Sequence, residues 1–252
     1  MYSYFSDSRL GSLLVSLLTF LPARKVIGQW PGLLLLSALW ITPAHAKNVI
    51  LFLGDGMGIS TVTAARIYAG QLQGGTGEEY SLAFETFPNL ALIKTYNTNS
   101  QVSDSAGTIS AILTGEKTSI GVTGITSDVA RDDCAAALVN TLPTIAELAE
   151  DAGMATGVVS TARITHATPA GAFAHTPNRD WEDSASTPDE AEALGCVDIA
   201  RQMIQMPNGD GLDVILGGGR GQFLPTSEND PEYPKKSGKR DDGRNLIEEW
   251  LS

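Results

Sequence analysis

The sequence predicts an α/β protein with a central, mostly parallel sheet flanked by helices on both faces. Short apolar segments alternate along the chain with segments whose apolar residues recur at helical spacing. The stretches between successive apolar segments are long enough for the crossover connections that parallel strands require. The 252 residues are 42% hydrophobic and 18% charged, which is an ordinary globular composition. Together these observations favour one sizeable core built around buried strands.

Four strands are predicted, because each segment is short, apolar and bounded by glycine or polar residues. They comprise Asn48–Leu53, Leu90–Tyr96, Thr156–Ser160 and Asp213–Leu216. Amphipathic or small-residue patterns predict helices at Ile59–Ala69, Ser105–Leu113, Pro143–Ala152 and Pro188–Met206, and one that begins in Gly243–Leu251. The polar segment Ser227–Arg244 contains two prolines and is expected to be an exposed loop.

The first 46 residues differ in character from the rest of the chain. Two apolar stretches, Leu10–Leu21 and Val26–Ile41, flank Arg24 and Lys25, and an Ala-His-Ala sequence ends at Ala46. This pattern predicts a secretory signal peptide that is cut after residue 46, so that the protein is periplasmic or secreted. An uncleaved membrane anchor is the alternative, and it is disfavoured because the apolar run falls short of the ~20 residues that span a bilayer.

Charge and cysteine content limit the partners and the compartment. The formal net charge is −12, and residues 47–252 alone carry −14, which argues against binding to nucleic acid or to an anionic membrane once the signal is removed. An anionic substrate would therefore need local positive charge from metals and arginines. Cys134 and Cys196 are the only cysteines, and two thiols in an exported chain usually pair. Two unrelated buried thiols remain the alternative.

The first motif that suits chemistry is Gly54-Asp55-Gly56-Met57-Gly58, directly after the first predicted strand. A carboxylate at the carboxyl end of a parallel strand faces the edge where such sheets bind ligands, and flanking glycines let a cation approach. A dinucleotide-binding loop is excluded, because its sixth position requires glycine and Ile59 stands there. By itself the motif fits a metal ligand and a solvated turn equally well.

The second motif is Val102–Thr108, in which Ser105 lies at the start of a helix of small residues. Amides at a helix N-terminus favour an anion, and a serine there can attack phosphorus if a nearby metal deprotonates it. Taken alone, the motif favours a simpler interpretation, in which Asp104 or Ser105 caps the helix.

The third motif comprises Thr165–Thr168 and His175–Trp181. His166 and Thr168 lie two residues apart and can face the same side of an extended loop, toward a hard metal ion. Arg179 can hold phosphate oxygens with two parallel hydrogen bonds. His175 has no such role, and we interpret it as structural.

The three motifs occur together in one order. VILFLGDGMG is followed about 50 residues later by VSDSAGT and then by THATPAGAFAHTPNRDW. With GCVDIARQMI and DVILGGGR further on, this arrangement resembles the alkaline phosphatase family from Asn48 to the end of the chain. The resemblance implies an alkaline-phosphatase-like fold, of which residues 47–252 would be the incomplete, N-terminal part of one catalytic domain.

The resemblance also implies roles for individual residues. Ser105 matches the serine that binds a zinc ion and becomes phosphorylated, and Asp55 matches the carboxylate that bridges the second zinc and the magnesium. Thr168 matches a magnesium ligand, and His166 matches a position expected to contact the magnesium through water. The family carries two Zn²⁺ and one Mg²⁺ per site.

Two further pairs of residues match family positions. Arg179 corresponds to the arginine that holds phosphate, and Asp104 corresponds to the carboxylate that positions this arginine. Cys134 and Cys196 correspond to cysteines that form a disulfide in similar family members.

One departure from the family is large. The two-zinc site of the family needs three further histidines, whereas His45, His166 and His175 are the only histidines in this sequence. The leading expectation is an enzyme that hydrolyses small phosphate monoesters through a phosphoserine, as a homodimer in its full-length form. The alternative is a truncated, non-catalytic module of the same fold that binds phosphate or a partner. A related phosphodiesterase or sulfatase is disfavoured, because those relatives use threonine or a modified cysteine in place of Ser105.

Overall fold

The computed structural model describes residues 48–252, which fall into two units, 48–54 and 55–252. The predicted signal peptide and its cleavage point lie outside the described residues. Residues 48–54 form no regular secondary structure and are exposed, so the predicted strand Asn48–Leu53 is wrong for this structure. The physical reason is that a strand needs a neighbour for its backbone groups, and this segment pairs with no strand among the described residues.

The second unit contains eight α-helices and two β-strands. In chain order they are α1 (Ile59–Leu72), α2 (Ser105–Thr114), α3 (Cys134–Ala137), α4 (Ile145–Asp151), β1 (Gly157–Arg163), α5 (Ala167–Ala170), α6 (Asp189–Leu194), α7 (Ile199–Ile204), β2 (Val214–Gly218) and α8 (Leu246–Leu251). Single 3₁₀ turns lie at Ala83–Thr86, Ser184–Ser186 and Arg220–Gln222. Within residues 48–252, every helix is too short or too polar to cross a bilayer.

The sheet confirms the predicted α/β class with a parallel pair. Strands β1 and β2 run parallel, with Gly157 opposite Val214 and Arg163 opposite Gly218. The predicted strand at Leu90–Tyr96 is wrong, because this segment finds no strand partner within the described residues and stays exposed. Instead, the ammonium group of Lys117 donates hydrogen bonds to the carbonyl oxygens of Lys94 and Tyr96.

Local caps set the ends of the helices. Helix α2 ends at Gly115, which adopts the left-handed conformation at φ 82°. The single helix predicted over Pro188–Met206 is wrong, because Gly195 at φ 102° ends α6 and Asp198 begins a new helix. The Asp198 carboxylate caps α7 by accepting a hydrogen bond from the backbone amide of Arg201 at 2.9 Å.

The core of the second unit lies around the carboxyl end of β1 and between α7 and α8. Its largest members are Ile164, Phe173, Ile199, Met203, Phe223 and Leu246, all buried. Each buried side chain of this size stabilises the fold by roughly 1.5–3 kcal/mol relative to exposure. Helix α2 packs so closely on the turn after α5 that a Cβ on Gly171 would lie 2.6 Å from Ile109.

The segment 227–244 forms no helix or strand and is mostly exposed, which confirms the expected loop, but one side chain anchors it. The side chain of Arg240 is fully buried. Its guanidinium donates to both carboxylate oxygens of Asp198 at 2.9 and 3.0 Å and to Asp242. A buried arginine with carboxylates on both sides fixes this segment to the start of α7.

A disulfide joins Cys134 of α3 to Cys196, which follows α6. The Cα atoms are 6.0 Å apart and the two residues are 62 positions apart in the sequence. Trp181 and Ala191 are buried against the disulfide. The predicted disulfide is therefore present. Trp181, two residues after Arg179, packs on it.

Candidate active site

Ser105 is the first residue of α2, and the site is built around this helix end. Asp104 precedes it as the N-cap, and its Oδ1 accepts hydrogen bonds from the Gly107 amide at 3.1 Å and from Asn97 Nδ2 at 2.8 Å. The capping interpretation of the sequence therefore holds for Asp104. Ser105 itself is half-buried at the N-terminal end of α2, where the helix favours an anion.

The same carboxylate holds Arg179. Oδ2 of Asp104 accepts a hydrogen bond from a terminal guanidinium nitrogen of Arg179 at 3.0 Å and another from the Gly121 amide at 3.0 Å. Burial raises the pKa of Asp104, but the hydrogen bonds from Gly107, Arg179 and Asn97 outweigh it and leave the pKa below its usual value. The carboxylate is therefore ionised at neutral pH, and the contact expected between Asp104 and Arg179 is present.

His166 lies on the other side of Arg179. Its Nε2 is 3.2 Å from the second terminal nitrogen of Arg179, and because arginine can only donate, Nε2 accepts and Nδ1 carries the proton. Burial lowers the pKa of His166, and the charges of Arg179 and Arg163 lower it further, so the neutral ring is favoured. Nδ1 is buried and meets no hydrogen-bond partner among the described residues.

Asp55 and Thr168 come together from positions 113 residues apart. The Thr168 hydroxyl donates to Oδ2 of Asp55 at 2.8 Å. A carboxylate and a hydroxyl oxygen side by side are the donor types that Mg²⁺ prefers, so this pair fits a hard cation. Residues 48–252 contain no group of three or more His, Cys, Asp or Glu side chains arranged to hold a metal. Among the predicted residues, Asp55 and Thr168 therefore offer two oxygen donors that suit a hard cation such as Mg²⁺.

His175 faces away from these groups. Its Nε2 lies 2.7 Å from the Glu147 carboxylate and its Nδ1 lies 2.8 Å from the Gly124 carbonyl oxygen. Burial lowers the pKa of His175, but the hydrogen bond and charge of Glu147 outweigh it and the net pKa is raised. Both ring nitrogens are engaged in the protein, which accords with the structural role expected for His175.

Sequence reasoning missed one ion pair beside the site. Glu182 accepts hydrogen bonds from the guanidinium of Arg163, the last residue of β1, and from the Thr165 hydroxyl. The pair spans 19 residues, and no helical or strand period links such positions. The only hint in the sequence is that Thr165 and Glu182 lie next to segments that contain His166, Thr168 and Arg179, which were already assigned to the site.

The arrangement defines a class of site. An α/β fold presents a serine at a helix N-terminus beside an arginine held by carboxylate and imidazole, which suits the binding of a phosphoryl group. The sequence model of the alkaline phosphatase family matches residues 46–252. The chain therefore belongs to the alkaline phosphatase family.

Individual relatives agree with this assignment. The chain is 46% identical over 236 residues to the alkaline phosphatase of Gadus morhua, covering 91% of this chain and 49% of that protein. It is 50% identical over 208 residues to the tissue-nonspecific isozyme of alkaline phosphatase from Gallus gallus, covering 81% of this chain and 40% of that one. The chain thus spans about half the length, or less, of the curated relatives it matches.

Solved structures show the same fold. The alkaline phosphatase from the Antarctic bacterium TAB5 superimposes with a TM-score of 0.56 at 28% identity, covering 81% of this chain and 45% of that chain. A histidine mutant of the same enzyme, with Mg bound in its M3 site, superimposes with a TM-score of 0.56 at 27% identity.

Proposed function

We propose that the protein containing this chain hydrolyses phosphate monoesters through a phosphoserine formed on Ser105. The observation that carries the proposal is the position of Ser105 at the N-terminus of α2, beside Arg179, which Asp104 and His166 hold from two sides. The relatives are named alkaline phosphatases, which supports this reaction class.

The residues of the chain bind and orient the phosphoryl group. Asp104 and His166 each engage one terminal nitrogen of Arg179, which leaves guanidinium N–H groups without a partner among residues 48–252. These groups can hold two phosphoryl oxygens in the parallel geometry that arginine favours. The N-terminal end of α2 favours the same anion. Ser105, the first residue of α2, would supply the Oγ that attacks phosphorus.

The metal requirement of the family is also part of the proposal. Asp55 and Thr168 would hold Mg²⁺, with His166 near it, and Asp55 and Ser105 would contribute to the binding of two Zn²⁺. Such ions, when bound, act as Lewis acids that lower the pKa of an attacking hydroxyl and neutralise charge on phosphoryl oxygens. The magnesium bound in the M3 site of the TAB5 mutant supports a metal-dependent reaction here. We extend the proposal to small phosphate monoesters as substrates, a homodimer and an exported protein.

The proposal is tested by trapping the covalent intermediate. The full-length protein that contains this chain is incubated with a ³²P-labelled monoester in the presence of Zn²⁺ and Mg²⁺ and quenched at acidic pH, where a phosphoserine survives. Its wild type and the matched control Ser103→Ala, in the loop just before α2, should incorporate label. Ser105→Ala should incorporate none and lose several orders of magnitude in turnover, because no hydroxyl remains to accept the phosphoryl group. Label on the Ser105→Ala protein would show that this serine only begins the helix.

A further inference from the structure

Glu182 joins the two chain segments that carry the phosphate-facing side chains. Glu182 follows Arg179 by three residues. Its partners Arg163 and Thr165 lie three residues and one residue before His166. The two segments are therefore joined by two sets of contacts. Arg179 contacts His166, and Glu182 contacts Arg163 and Thr165. None of the motifs that indicated the site includes Glu182.

The carboxylate of Glu182 is largely buried, with 13% of its side chain exposed, and is saturated with donors. Nε of Arg163 lies 2.9 and 3.2 Å from its two oxygens, and a terminal nitrogen of Arg163 lies 2.7 Å from Oε1. The hydroxyl of Thr165 donates to Oε2 at 2.6 Å. Two parallel charge-assisted bonds restrict the relative orientation of both groups more than a single contact would.

The backbone on the Glu182 side is anchored to the core. The carbonyl oxygens of Trp181 and Glu182 accept hydrogen bonds from the amides of Ile199 and Ala200 at 2.9 and 3.2 Å. Ile199 and Ala200 are fully buried at the start of α7, and Trp181 packs on the disulfide. Glu182 therefore projects from a rigid support.

The backbone on the other side forms the turn from which His166 projects. The carbonyl oxygen of Arg163 accepts a hydrogen bond from the His166 amide at 2.9 Å, and Thr165 is fully buried between them. The Cβ of Arg163 also packs against Gly219, where a Cβ would come within 2.9 Å of it. The Glu182 carboxylate holds side chains on two of the three residues that lead to His166.

We infer that Glu182 is a positioning residue, which sets the turn 163–166 relative to the segment of Arg179 and so fixes the imidazole of His166 against the guanidinium. Its effect on phosphate binding rests on the proposed function, whereas its effect on His166 does not. Removing an outer partner of a metal-ligating residue typically weakens metal affinity or activity by about 10–100-fold, and we expect an effect at the low end of that range on phosphate binding here.

The first test observes His166 directly. The full chain contains three histidines, so its ¹⁵N imidazole spectrum has three ring systems to assign. At one fixed pH, Glu182→Gln should shift or broaden the His166 ring signals and leave those of His175 unchanged. The matched control is Glu249→Gln, which alters another doubly bonded arginine–glutamate pair, Arg244 with Glu249, and should change neither.

A second variant separates position from charge and also serves if Glu182→Gln fails to fold. Arg163→Lys keeps the positive charge at a side chain that is 46% exposed, but it cannot make the double hydrogen bond. It should perturb the His166 signals as Glu182→Gln does. If Arg163→Lys leaves His166 at its wild-type signals, Glu182 acts through charge alone or not at all, and the inference is wrong.

The third measurement adds the consequence for binding. Calorimetric titration with inorganic phosphate should give a dissociation constant about tenfold higher for Glu182→Gln and Arg163→Lys than for wild type and Glu249→Gln. Equal dissociation constants in all four proteins would contradict the inference. If the wild type binds no phosphate, the proposed function fails, and the His166 spectra still decide whether Glu182 positions the ring.

Discussion

The phosphate side and the metal side of the site differ in how firmly the chain builds them. We call Asp104, Ser105, His166 and Arg179 the phosphate side, and Asp55 with Thr168 the metal side. The Asp104 carboxylate accepts four hydrogen bonds from four different residues. Asp55 is exposed, and within residues 48–252 its carboxylate accepts one hydrogen bond, from Thr168.

The difference shows which part of the proposed site the described residues organise. On the phosphate side, the cap of α2, the ion pair with Asp104 and the contact with His166 hold the guanidinium of Arg179 before any ligand arrives. On the metal side, two oxygen donors meet, and residues 48–252 contain no group of three or more His, Cys, Asp or Glu side chains arranged to hold a metal. The described residues therefore organise the proposed anion site more completely than the proposed metal site.

The largest expected effect concerns activity of the chain alone. Purified residues 47–252, supplied with Zn²⁺ and Mg²⁺, should show little or no turnover of an aryl phosphate, because the described residues assemble no group of three metal ligands. Metal analysis after gel filtration should find fewer than the three ions per site of the family. Robust turnover by this chain would mean that the metal side is more complete than its geometry indicates.

The next largest effect concerns the disulfide between Cys134 and Cys196, on which Trp181 packs. Replacing both Cys134 and Cys196 by alanine removes a link that closes a span of 62 residues. The loss should lower the free energy of unfolding by about 4 kcal/mol on the chain-entropy account. Urea denaturation of wild type and the double variant measures it. Thiol titration of the denatured, unreduced wild type should find no free thiol, and two reactive thiols would refute the pairing.

The smallest effect concerns pH and the structural histidine. The folded-state pKa of His175 is raised by Glu147, so its contribution to stability is present below the unfolded value near 6.5 and is lost as pH rises through the folded pKa. The pKa of Glu147 is raised by burial but lowered more by His175, so its contribution is lost as pH falls through its own folded pKa. Denaturation of wild type and His175→Gln should therefore differ more at pH 6 than at pH 9. A constant difference would exclude a charged pair.

Sequence reasoning predicted the local features of the fold and missed the non-local ones. Helix α2 and its capping residue followed from the order of side chains around Ser105, because caps and helical periods act over a few residues. The segments at 48–53 and 90–96 have strand composition, but pairing depends on a neighbour that composition does not supply. The break in the helix at Gly195 had a visible signal, a glycine inside the predicted span, to which we gave too little weight.

The candidate site divides in the same way. Resemblance to the family predicts that Asp104, His166 and Arg179 lie near one another, and the structure has them in contact. The contacts of Glu182 with Arg163 and of His175 with Glu147 join positions 19 and 28 residues apart. Such pairs depend on how β1, α4 and the segment after α5 pack together. Helix and strand periodicity in the sequence does not predict them.

The most direct test of the comparison is phosphate binding by the chain with all metal removed. After chelation with EDTA and gel filtration, calorimetric titration with inorganic phosphate should give saturable binding to wild type. Arg179→Ala should bind about ten- to a hundredfold more weakly, because it loses a charge-assisted contact worth roughly 1.5–3 kcal/mol. The matched control Arg220→Ala, which alters an ion pair with Asp230, should bind as wild type does. If the metal-free chain binds no phosphate, or if Arg179→Ala binds it equally well, the phosphate side is not built by these residues alone and the account is wrong.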